Sequence, residues 1–97
     1  MSFDQSGSVR KTADGAVGVS GKPVRVYSVT IMNGATASSA VLRNGTTAAG
    51  DAYIYHLGTT NTSKTVSFDG GLLFPDGCFY DHTVTASAAI IEFATEI

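Results

Sequence analysis

At 97 residues the chain has the length of one domain, enough to bury well over half of its unfolded surface around one modest core and too short for two. Charged residues make up only 14%, against roughly 25% in an ordinary soluble domain, and Gly, Ser and Thr, about a third of the sequence, take their place. The formal net charge of −2, with Arg10-Lys11 as the only adjacent basic pair, argues against a nucleic-acid partner, whose phosphates demand clustered Lys and Arg.

Residues 1–15, MSFDQSGSVRKTADG, are polar and lack the apolar segment of a secretion signal; no later run approaches bilayer length. They read as a polar N-terminal arm, frayed or ordered against a neighbouring subunit through Arg10 and Lys11, ahead of a single domain over 16–97. The strongest organising signal is punctuation by the turn dipeptides Asp14-Gly15, Asn33-Gly34, Asn44-Gly45, Asp69-Gly70 and Asp76-Gly77.

Between the turns lie strand-like runs. VRVYSVTIM (24–32) is β-branched and aromatic throughout and reads as a central strand. SAVLR (39–43) follows. DAYIYHL (51–57) alternates Tyr53, Tyr55 and Leu57 against Ile54 and His56, and KTVSFD (64–69) sets Val66 and Phe68 against Thr65 and Ser67. LLF (72–74), stopped by Pro75, reads as an edge or a bulge. CFYDHTVTA (78–86) and AIIEFAT (89–95) complete the set, although the alanines of 86–97 also permit a helix. About seven short strands at this spacing predict an all-β fold, a compact antiparallel β-sandwich or flattened barrel.

The stretch FDGGLLFPDGCFYDH (68–82) gathers the only cysteine, Cys78, with Asp76, Tyr80, Asp81 and His82, and invites a reading as a reactive site. An extended 78–86 opposes it. Cys78, Tyr80 and His82 then share one face while Phe79 and Asp81 share the other, and Cys78 and His82 stand roughly 13 Å apart, beyond hydrogen-bond or common-metal reach. Asp14, Asp69 and Asp76 each precede glycine and are accounted for by turn chemistry. One Cys and two His without a C-x-x-C or H-x-x-x-H pairing give no zinc spacing. The sequence therefore predicts no catalytic residue, no cofactor and no metal, and a Cys78 thiol that fills core space. A single cysteine also forms no internal disulfide, in keeping with folding in a reducing cytoplasm, where the N-x-S/T matches at Asn44 and Asn61 are accidents of a Thr-rich sequence. His82 keeps interest only if the fold brings His56 to it. Tyr53 and Tyr55 are the candidate contact residues, with core packing as the competing reading.

The order KPVRVYSVTIMNGATASSAVLRNGTTAAGD, then GGLLFPDGCFYDHTVTASAAIIEF, resembles small virion structural proteins of tailed phages, particularly marine and cyanobacterial ones, over residues 22 to about 94. The resemblance rests on a V-R-V-Y strand, an N-G or D-G turn and a G-G-hydrophobic-x-F segment leading into an aromatic-Asp strand. It implies a non-enzymatic β-sandwich present in many copies: a capsid decoration, or cement, protein on the outer face of the shell, with the major capsid protein as partner and self-association, a trimer included. A tail, connector or fibre-associated virion protein is the first alternative, and a small carbohydrate- or surface-binding module the second. Low surface charge is consistent with life in an assembly. The expected location is the capsid surface of the virion, after synthesis in the host cytoplasm, with no nucleic acid and no membrane among the partners. Arg10, Lys11, Tyr53 and Tyr55 are the expected interface residues.

Overall fold

A computed structural model describes residues 4–33, 39–57, 61–82 and 88–96. Eight strands follow in chain order: β1 (Asp4–Lys11), β2 (Gly15–Val17), β3 (Val24–Met32), β4 (Ser39–Asn44), β5 (Asp51–Leu57), β6 (Ser63–Phe74), β7 (Cys78–His82) and β8 (Ala88–Glu96). They form two four-stranded antiparallel sheets, ordered β1-β8-β3-β6 and β2-β7-β4-β5. The all-β sandwich expected from turn spacing is the fold.

The C-terminal run settles as a strand because its pattern has period two. Ala89, Ile91 and Thr95 are buried on the side of β8 that meets the core, while Glu92 is exposed on the other side. A helix would scatter these positions around its axis. β3 is central, between β8 and β6, as its two-sided apolarity predicts.

Within β3 the alternation is broken once, usefully. Val24 and Val26 face the core, but strict alternation would then turn Ser28 and Thr30 inward. The register shifts between Val26 and Ser28 against both neighbours, leaving Tyr27 as a bulge and returning Val29 and Ile31 to the core. On β6 the same shift is larger. Ser67 pairs with Ser28 and Leu72 with Val26, so Phe68–Gly71 make an excursion through Gly70 (φ 76°) and Gly71 (φ 82°). The two runs 64–69 and 72–74 are therefore one irregular edge strand, and Pro75 follows directly after its end.

One strand, β1, lies where the sequence predicts only a polar arm, and β2 begins at the last residue of that arm. Residues 4–11 pair with β8 over eight positions, so this segment orders against its own chain and not, as expected, free or upon a neighbour. An edge strand needs little apolar surface, and Val9, packed against the core cluster, supplies it; the gain is backbone hydrogen bonding for the open side of β8. Lys11 Nζ donates to the Ala16 carbonyl at 3.2 Å, tying β1 to β2 across the edge of the sandwich.

One core cluster joins both sheets, with Phe74, Val26, Ile31 and Ile91 from one and Leu42 and Tyr80 from the other. Beside it, among the described residues, lies one polar defect. Thr95 is fully buried and its Oγ1 has no hydrogen-bond partner. Since an unmade buried bond costs about 1–3 kcal/mol and an apolar replacement of equal shape removes that cost, Thr95→Val is expected to hold or raise the unfolding midpoint in urea. A loss of more than about 1 kcal/mol would mean that the hydroxyl is satisfied after all.

Candidate functional site

In the stretch 68–82 the backbone decides what each polar side chain does. Cys78 opens β7 beside Val17 and Asn44 and is 2% exposed. Burial pushes its thiol up to about 12, so it stays protonated and is no nucleophile at neutral pH. Tyr80, two residues on and 1% exposed, is likewise pushed up to about 12, first by burial and then by the neighbouring carboxylates of Asp14 and Asp81. Both side chains belong to the core.

Asp81 lies on the opposite face of β7. There its Oδ2 accepts from Arg43 Nε at 3.1 Å, and Arg43 also donates through Nη1 to the Gly50 carbonyl at 3.1 Å, holding the β4–β5 turn against the sheet. Asp76 and Asn44 form a reciprocal clamp. Asn44 Nδ2 donates to Asp76 Oδ2 and the Asp76 amide donates to Asn44 Oδ1, each at 2.9 Å. Beside it the Gly45 amide donates to the Gly77 carbonyl at 3.0 Å, and the Gly77 amide closes its own turn onto the Phe74 carbonyl at 3.3 Å. The aspartates that looked like candidate acids are thus fasteners between turns. Among the described residues no group of three or more His, Cys, Asp or Glu side chains is placed to hold a metal.

The expected contact residues are dispersed. Arg10 is exposed on edge strand β1, whereas Lys11 is partly buried in its bond to Ala16. Tyr53 and Tyr55 do not share a face as alternation predicts. The β4–β5 register shifts between Leu42 and Arg43, making Tyr53 a bulge whose ring packs tilted on Phe74, with centroids 5.2 Å apart. Tyr55 pairs with Val41 on the outer face of its sheet, 62% exposed. Tyr27, also a bulge, is 39% exposed, and Leu73 nearby in β6 is 42% exposed. A flat two-tyrosine stacking platform is therefore not built. Sequence reasoning missed both bulges: in β3 the one local signal is Ser28, which strict alternation would turn inward, and in β5 alternation buries only Ala52 in error and gives no such signal.

One pairing left open by the sequence is resolved in the backbone. Ala40 of β4 pairs with His56 on one side and with His82 on the other. His56 Nε2 lies 3.1 Å from the Lys64 carbonyl of β6, bridging the two sheets at this edge.

No protein-family model matches this chain, and no curated protein or solved structure is similar to it at a significant level. Fold and site together define a class by construction: a small two-sheet antiparallel sandwich whose polar side chains fasten turns and whose aromatic side chains reach the surface.

Proposed function

We propose that this chain is a virion structural protein of the capsid-decoration type, which binds the outer face of a shell, contacts the major capsid protein and bridges adjacent subunits. The observation that carries the reading is the division of labour among its side chains. Arg43, Asn44, Asp76 and Asp81 are engaged in fastening turns, while Tyr55, Tyr53, Tyr27 and Leu73 stand 39–62% exposed. Such aromatic surface is what protein contacts use. The likeness of residues 22–94 to phage virion proteins supports the same reading. A low charge density makes docking cheap in desolvation, and contacts repeated by shell symmetry supply avidity without a deep pocket.

Quantitative mass spectrometry of purified particles tests this. Hundreds of copies per particle are expected; tens would move the protein to the tail or connector, and absence from particles would overturn both. For the surface, Tyr55→Ala is expected to weaken capture by shells stripped of the protein by about tenfold or more, as for a tyrosine at the centre of an interface. Its melting temperature should stay put, because Tyr55 lies outside the core. Unchanged capture would remove Tyr55 from the interface.

A further inference from the structure

Asn44 carries a chemical weakness that the fold holds in check. Asparagine is a thermolabile residue, most of all before glycine, whose amide nitrogen is screened by no side chain and can attack the asparagine amide carbon. Asn-Gly occurs at 33–34 and at 44–45, and the second pair lies wholly within the described residues. Attack there needs the Gly45 amide, the Asn44 side-chain oxygen and the Asn44 side-chain nitrogen to be free.

All three are engaged. The Gly45 amide donates to the Gly77 carbonyl at 3.0 Å, Asn44 Oδ1 accepts from the Asp76 amide, and Asn44 Nδ2 donates to Asp76 Oδ2, each of the last two at 2.9 Å. The backbone opposes the attack as well. Asn44 ends β4 and is paired with Asp51 on one side and with Cys78 on the other, which holds it extended. Closing a five-membered ring needs the next amide nitrogen eclipsed with Cβ, and an extended ψ carries that nitrogen away.

We propose that Asn44 is a modification site gated by the fold: inert while the clamp to Asp76 is closed, and deamidated when this end of the sandwich opens. In the open chain hydroxide takes the Gly45 amide proton, and the nitrogen attacks Asn44 Cγ. A C–N bond forms there, the Cγ–Nδ2 bond breaks, and ammonia leaves with a proton from water, which restores the hydroxide. Water then opens the resulting succinimide to aspartate or isoaspartate. Either product sets a second carboxylate against that of Asp76, with no hydrogen to donate to Oδ2, and isoaspartate also lengthens the backbone at the end of β4. The clamp cannot be remade, so an opening that was reversible becomes permanent. This site does not depend on the virion reading.

The test keeps the full chain in mildly alkaline buffer, folded or unfolded in urea at the same pH, and follows the peptide containing Asn44 by mass spectrometry. Conversion in the folded chain should be slower by about tenfold or more, because it tracks the population of opened molecules. Asp76→Ala deletes the acceptor of Nδ2 and should speed conversion of the folded chain about threefold or more, whereas Asp76→Asn, which keeps an acceptor oxygen, should stay near the parent. Asn44→Asp reproduces one product and should unfold at lower urea than the parent. The comparison of folded with unfolded parent needs no variant to fold. Equal conversion in the two, Asp76→Ala converting at the parent's rate, or Asn44→Asp as stable as the parent would overturn the gate.

Discussion

Gly77→Ala is expected to destabilise the fold by about 3 kcal/mol or more, a drop of about 12–24 °C in Tm for a domain of this size. Two independent penalties meet there. The residue sits at φ 107°, outside the range that side chains adopt readily, and it is buried. An added Cβ would also stand 3.1 Å from the Gly21 amide nitrogen, 3.2 Å from the Gly45 carbonyl oxygen and 3.4 Å from Gly21 Cα. These are backbone atoms of two other turns, so no rotamer change relieves the crowding. Pushing them apart would also strain the Gly45–Gly77 hydrogen bond and the Asn44–Asp76 clamp, which hold the same end of the sandwich together. Gly70→Ala is the matched control. Its φ is 76°, but a Cβ there meets nothing within 4 Å, so only the conformational cost of about 1–2 kcal/mol remains. Chemical denaturation of the two variants measures the difference, and equal losses would show that packing of the three turns contributes nothing.

The same glycines mark what can be read from the sequence and where reading stops. Asn44-Gly45, Asp69-Gly70 and Asp76-Gly77 do carry positive φ at glycine, while Gly15 opens β2 instead, and Gly34 lies outside the described residues. Strand runs between turns were legible because β-branched and aromatic residues recur with period two over a few positions, which is local information. The expected strand 78–86 is described only to His82. The bulges at Tyr27 and Tyr53 are set by what lies across the ladder, so the faces of Tyr53 and Tyr55 could not be assigned from alternation alone. The join between Asn44 and Asp76, like the row His56–Ala40–His82, depends on which strands become neighbours. β1 was illegible for another reason: an edge strand is held by backbone pairing, and sequence periodicity records side chains.

Stability should fall steeply in alkali, and Cys78 should account for a separable part of the fall. Burial raises its thiol from the ordinary 9.0 to about 12, and Tyr80 moves from 10.0 to about 12. In both, folding favours the neutral, protonated form. The unfolded chain therefore gives up these protons near pH 9 and 10 while the folded chain retains them to about 12. The stabilisation is present in full below the unfolded values and is lost as pH rises through the window between 9 and 12. At about 1.4 kcal/mol per pKa unit, the Cys78 share is on the order of 4 kcal/mol at the top of that window. Cys78→Ala deletes a buried sulfur and should be less stable than the parent near neutral pH, by about 1 kcal/mol for a small core truncation. It no longer carries a thiol to ionise, so its alkaline decline should be shallower, and the two stability curves should converge and then cross. Other titrating groups, Tyr80 included, contribute alike to both proteins and cancel in the difference. Urea unfolding at a series of pH values from neutrality into alkali measures it, and curves that remain parallel would mean that the thiol ionises as readily in the folded chain as in the unfolded one.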